Sequence, residues 1–265
     1  MNNRGLTWLN ALTKNSTPVD GFISSVKVVD GSIGNQNARY IAVVTDKNNQ
    51  FPRARNGEVG LLEGWNLAKA VNEIVAKDKG SKNKTAIVAV IDVPSQAYGR
   101  REEAYGIHQS LAAAANAYAT ARNVGHPVIG LIVGKAMSGG FLAHGYQANR
   151  LIALDDKGCM VHAMGKASAA RITLRSVTEL EQLAASIPPM AYDIKNYNTL
   201  GLLWKKVSIN NADTPETKDI NDITTVLKEA LNDIEKEAKH DLSGRSNSGN
   251  RNASLKVRQQ MTQIW

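Results

Sequence analysis

The run Val128-Ile-Gly-Leu-Ile-Val-Gly-Lys-Ala-Met-Ser-Gly-Gly-Phe-Leu-Ala-His-Gly145 decides how this chain is read. Residues 128–133 are continuously apolar and rich in β-branched side chains, the pattern of a strand covered on both faces. Gly134 and Ser138-Gly139-Gly140 then allow a sharp turn with little side-chain cover. From Phe141 the spacing suits a helix. The first N–H groups of a helix lack internal partners and stand at the positive end of its dipole. A Ser-Gly-Gly opening is therefore expected to offer those N–H groups to an anionic oxygen above the strand. Glycines at such a turn serve close packing equally well, so the flanking sequence has to decide.

Working outward, residues 86–93 form a second apolar run, ending at Asp92-Val-Pro94. The loop Ser95-Gln-Ala-Tyr-Gly-Arg-Arg101 follows, then an alanine-rich helix over 102–123, stopped by Gly125-His-Pro127. Two strand–loop–helix units in succession imply a parallel α/β sheet, in which ligands bind at the carboxyl edge of the strands. Ahead of them lie an amphipathic helix (4–14), two short strands (22–29 and 40–44) with turns at Asp30-Gly31 and Asp46–Asn49, and a helix over 58–76. Behind them come short strands at 151–154 and 159–164, then helices at 177–185, 190–198 and 223–239. Residues 243–252 are polar and read as a mobile loop, with a last amphipathic helix over 255–265. The domain expectation is one body over 1–242, with 243–265 as a polar loop and helical extension.

The chain has 265 residues, 43% of them hydrophobic, which is enough for a large core. Its net charge of +8 suits an acidic protein or an anionic ligand as well as nucleic acid. There is no arginine-rich arm, zinc pattern or aromatic-basic RNA motif, so nucleic-acid binding is not expected. No run reaches membrane-spanning length and no signal-peptide core begins the chain, so a cytoplasmic location is expected. The lone Cys159, in an apolar patch, excludes an intrachain disulfide and reads as a packing residue.

Two loops carry a resemblance when taken together: Ile91-Asp-Val-Pro-Ser-Gln-Ala-Tyr-Gly-Arg-Arg-Glu-Glu103 and Gly134-Lys-Ala-Met-Ser-Gly-Gly-Phe-Leu-Ala-His-Gly145. Met160-Val-His-Ala-Met-Gly165, Ser168-Ala-Ala-Arg171 and Ile187-Pro-Pro-Met190 fit the same pattern. Residues from about 4 to 207 resemble the carboxyltransferase branch of the crotonase superfamily, and more narrowly the gamma subunits of biotin-independent malonate decarboxylase. The resemblance implies an α/β fold of the crotonase-like β-β-α superhelix type. It also implies a beta subunit as partner in a hetero-oligomer. Such a pair decarboxylates a malonyl thioester carried on the prosthetic arm of an acyl carrier subunit, with no biotin, metal or cofactor of the chain's own.

The chemistry fits glycines better than a triad. Loss of CO2 from a malonyl thioester leaves an enolate, whose charge is stabilised by fixed N–H donors. Positioning plus such donors suffices without a nucleophile. Gly139 and Gly140 are the expected N–H donors, Ser138 shapes the turn, and Ser95, Gln96, Ala97 and Tyr98 are expected to line the same cleft. Arg53, Arg55, Arg100 and Arg101 are candidates for carboxylate or phosphate contact, or else simply solvated. Asp92 reads as a loop cap and His144 as a helix-face residue. His162 opens a rival, since Clp-type serine peptidases share the fold and a Met-x-His strand. Their nucleophile position falls on Met137 here, and Ser138 sits one place later, rotated by roughly 100° if helical. A biotin-dependent carboxyltransferase subunit or a non-catalytic scaffold subunit would carry the same residues.

Overall fold

The computed structural model describes residues 3–237, 240–245 and 249–264. In chain order the elements are α1 (Arg4–Leu12), β1 (Val26–Ile33), β2 (Gln36–Val43), α2 (Leu61–Lys77), β3 (Ala86–Val93), α3 (Arg100–Ala104) and α4 (Ile107–Asn123). There follow β4 (Val128–Met137), α5 (Ser138–Ala143), β5 (Arg150–Leu154), β6 (Met160–His162), α6 (Lys166–Ile172), α7 (Val177–Ser186) and α8 (Ile194–Thr199). Last come β7 (Lys205–Val207), α9 (Thr217–Glu235) and α10 (Asn252–Ile264).

One sheet runs in the order β1-β2-β3-β4-β5-β7, with β6 added beside the far end of β4. Only β1 and β2 are antiparallel, and every other described strand pair is parallel. The apolar runs that predicted two-sided burial are the central strands. Ile87, Val90, Ile91, Ile129, Leu131 and Ile132 are all fully buried. α2 and α4 cross closely over them because Gly64 leaves room for Ser110, whose hydroxyl donates to the Leu61 carbonyl at 2.7 Å. A Cβ on Gly64 would stand 2.1 Å from that hydroxyl oxygen.

Among the boundaries that differ from the sequence expectation, three do so for a visible tertiary reason. The first strand runs through Asp30-Gly31, because Asp30 takes both Nε (2.7 Å) and Nη2 (2.9 Å) of Arg39 across the hairpin. The helix expected over 102–123 is split by Gly106, at φ +79°, into α3 and α4. β4 runs on to Met137, and α5 begins at once, with no separate glycine turn. The reversal is made at Ser138 alone, whose φ is +59°, an uncommon conformation for a residue with a Cβ.

The expected mobile loop over 243–252 falls partly outside the described residues, at 246–248; its described flanks form short 3-10 turns at Ser243–Arg245 and Gly249–Arg251. Among the described residues no helix is long and apolar enough to cross a membrane.

Candidate active site

The site is built where β4 leaves the sheet. Its neighbour β3 shifts register between Ile91 and Val93, so that Val93 pairs with Ala136. In the gap Asp92 turns over the main chain of Gly134 and accepts the Lys135 N–H at 3.0 Å. A Cβ on Gly134 would meet that carboxylate at 2.2 Å, which is why glycine stands there. Asp92 therefore caps the adjacent strand rather than its own loop.

The loop after β3 lies against the start of α5. Ser95 accepts the Val59 N–H at 3.1 Å, and Ala97 donates to the Val59 carbonyl at 2.8 Å. This short ladder holds the loop rigidly against the segment before α2. The loop's main chain then packs on Gly140, where a Cβ would stand 2.5 Å from the Ser95 carbonyl oxygen. Gly140 is buried and its first observable role is this close approach.

Gly139 is different. Its N–H, expected to be open, donates to Gln96 Oε1 at 2.6 Å. The physical reason is that Met137 stands at the N-cap and has no side-chain acceptor, so a residue 43 positions away supplies one. An amide oxygen thus already occupies the position considered for an anionic one.

Ser138 and Gly139 open onto a cavity of about 410 Å³. Phe141, Leu142, Tyr146, Val161, Tyr197 and Leu202 make most of its wall apolar, and His162 adds a polar edge. The structure thus brings Gln96 to Gly139 and Ser95 to Gly140, but puts none of Ser95, Gln96, Ala97 or Tyr98 on the cavity wall itself. Ala97 is buried in a satellite cluster with Phe51, Ala54, Leu61 and Ile107. Tyr98 is 55% exposed.

Ser138 and His162 do not form a dyad. The β4–β6 register pairs His162 with Met137. His162 Nδ1 faces the Met164 main chain, 2.9 Å from its carbonyl oxygen, and the ring stacks on Tyr192 at 3.8 Å between centroids. Burial holds its imidazole below the ordinary histidine value. His144 is a core residue rather than a helix-face one. It lies 3.0 Å from the Tyr118 hydroxyl through Nδ1 and 3.1 Å from the Val90 carbonyl through Nε2. Burial pushes its pKa down to about 4. Cys159 is buried, and burial pushes its thiol up to about 12, so it is a packing residue.

Arg53 and Arg55 lie in and just after a 3-10 turn (Pro52–Ala54), Arg100 and Arg101 open α3, and the two segments meet at Gly99. Arg55 Nε donates to the Asn49 carbonyl at 2.9 Å, and the Arg101 guanidinium lies 4.9 Å from the Phe51 ring centre. The sequence reading missed Tyr146, Tyr197 and Leu202 as wall residues, because they converge from segments with no local motif.

The malonate decarboxylase gamma-subunit family model matches residues 54–265. A Pseudomonas malonate decarboxylase hetero-tetramer solved in complex with coenzyme A contains a chain 57% identical, with a TM-score of 0.95, covering 99% of this chain and 100% of that one. A Pseudomonas MdcD–MdcE hetero-dimer contains one 56% identical, with a TM-score of 0.91 and 99% of each chain covered. The malonyl-S-ACP:biotin-protein carboxyltransferase MADD of Malonomonas rubra is 37% identical over 163 residues. That match covers 60% of this chain and spans 56% of the length of the Malonomonas protein. A transcarboxylase 12S chain, 17% identical with a TM-score of 0.65 over 87% of this chain and 42% of its own, shares the crotonase-type carboxyltransferase fold. The chain belongs to the malonate decarboxylase gamma-subunit family.

Proposed function

We propose that this chain supplies one wall of a site that decarboxylates a malonyl thioester, the other wall coming from a beta-type subunit. The substrate arrives on the prosthetic arm of an acyl carrier subunit, and the chain needs no cofactor of its own. The carbon–carbon bond to the carboxylate breaks, CO2 leaves, and the electron pair passes into the thioester as an enolate. A proton taken up at carbon then gives the acetyl thioester. The Gly139 N–H, with the Gly140 N–H next in the same turn, stabilises the oxygen that carries negative charge. Ser138 sets that turn. Ser95 and Gln96 hold the main chain above it, and the apolar cavity takes the uncharged part of the arm.

The single observation that carries this reading is the Gln96 amide oxygen seated on the Gly139 N–H at 2.6 Å beside an apolar cavity. A neutral side-chain oxygen is a displaceable occupant. When a substrate oxygen replaces it, the Gln96 amide is free to turn its NH2 toward the same ligand. Decarboxylation of malonyl carrier by this chain alone, by the beta-type partner alone and by the mixture tests the proposal. Activity in the mixture only is expected; undiminished activity of the partner alone defeats a shared site.

A second reading is favoured by the Malonomonas relative, whose name is that of a biotin-protein carboxyltransferase. Here the carboxylate would pass to biotin on a carrier protein instead of leaving as CO2. Avidin separates the two: it blocks a biotin-dependent transfer and leaves direct decarboxylation untouched.

A further inference from the structure

Behind the cavity, two arginines bind three consecutive main-chain carbonyls in the turn that follows α5. Arg245 Nη1 donates to the carbonyls of Tyr146 (2.7 Å) and Ala148 (3.1 Å). Arg122, from α4, donates through Nε to the Gln147 carbonyl at 3.0 Å and through Nη1 to the His240 carbonyl. One guanidinium comes from the body and one from the tail, so the described part of residues 240–251 is strapped to this turn from both sides. Arg251 Nη1 donates to the Arg245 carbonyl at 2.6 Å, and Asn250 Nδ2 to the Thr199 carbonyl at 3.3 Å, which ties the strap to the end of α8.

The strap matters because of what it touches. The Arg245 guanidinium lies over the Tyr146 ring, 4.8 Å from its centre, and Tyr146 meets Phe141 edge-on at 5.2 Å. Tyr197, on α8, has a buried hydroxyl close enough to the same guanidinium to interact with it. Tyr146, Tyr197 and Phe141 are all cavity wall, and Phe141 is on the helix that carries Gly139. A contiguous set of packed groups therefore runs from the strap to the cavity and to α5.

We infer that Arg245 is a positioning residue: by holding Tyr146 and Tyr197 it sets the back wall of the cavity and so the affinity for the thioester arm. This rests on the reading that the cavity takes that arm. A guanidinium suits this place because its delocalised cation lies over the Tyr146 ring while Nη1 alone serves both carbonyls; an ammonium could serve the carbonyls but is more strongly hydrated and stacks poorly on an aromatic face.

The test uses the full chain in complex with its beta-type partner, with malonyl thioester on the carrier as substrate. Arg245→Met should raise KM on the order of tenfold and leave kcat within about twofold, with Arg245→Lys between it and the parent. A merely structural role would lower the amount of active complex, and hence apparent kcat, without moving KM. Leu142→Asp, at a half-exposed position on the cavity rim, reports on the cavity reading itself. If Leu142→Asp raises KM and Arg245→Met does not, the strap inference falls and the cavity reading stands. If neither changes KM, both fall. A rise for Arg245→Met alone also overturns the inference, because the effect would not run through the cavity.

Discussion

Replacing Gly140 with alanine probes a close main-chain contact of the site. The added Cβ would lie 2.5 Å from the Ser95 oxygen, 2.8 Å from its carbonyl carbon and 3.3 Å from the Gln96 nitrogen, all main-chain atoms. Ordinary contact begins near 3.4 Å, so the loop must retreat by about 0.9 Å. It cannot swing freely, because Ser95 and Ala97 are both bonded to Val59. Overpacking of this kind costs about 1–3 kcal/mol, from which up to about 1 kcal/mol is offset by the better helix propensity of alanine. The net loss, up to about 3 kcal/mol, corresponds to at most roughly 12 °C in Tm for a domain of this size. Activity should suffer more. The same retreat carries Gln96 and the Gly139 N–H out of register, and a displacement of about 1 Å at a reacting centre costs on the order of a hundredfold in rate. By contrast, the nearest atoms to a Cβ on Gly139 would be Gln96 Oε1 at 2.9 Å, Gln96 Cδ at 3.2 Å and Leu111 Cδ1 at 3.6 Å, all on side chains able to move. Thermal unfolding and kcat with malonyl carrier, measured on both alanine variants in the assembled complex, check the reasoning. Gly140→Ala with parental Tm and parental kcat would refute it.

Removing the Gln96 side chain (Gln96→Ala) leaves the Gly139 N–H without its occupant, so free malonate should inhibit several-fold more tightly; unchanged inhibition would mean that this N–H does not meet an anion. Ser138→Gly relieves a left-handed residue and should stabilise the chain by about 1 kcal/mol with turnover retained. Complete loss of activity in that variant, with folding intact, would instead assign Ser138 a reacting hydroxyl. His144 titrates near 4 when folded and near 6.5 in an ordinary environment, because burial disfavours its charged form. The unfolded chain therefore binds the extra proton first. Stability falls as pH drops from about 6.5 to about 4, by up to about 3 kcal/mol, and is fully present above that window. Urea midpoints between pH 4 and 7 should show this slope in the parent and a flatter one in His144→Phe.

The amino-acid sequence determined the parallel sheet, its two central strands and the approach of the Ser95–Tyr98 and Ser138–Gly140 segments. Both apolar runs are long enough and β-branched enough to have no other stable burial. It also carried the family, through the Ile91–Glu103 and Gly134–Gly145 loops taken together with the Met160–Gly165, Ser168–Arg171 and Ile187–Met190 segments. Tertiary structure decided what each group in those loops does. A glycine can open a main chain or let another chain approach, and the residue alone does not say which. Gly140 proved to admit the Ser95 carbonyl, while Gly139 keeps its N–H but shares it with Gln96. The back wall was equally out of reach, since Phe141, Tyr146 and Arg245 meet through an edge-on ring contact, a cation over a ring and main-chain carbonyls, contacts that leave no spacing in the sequence.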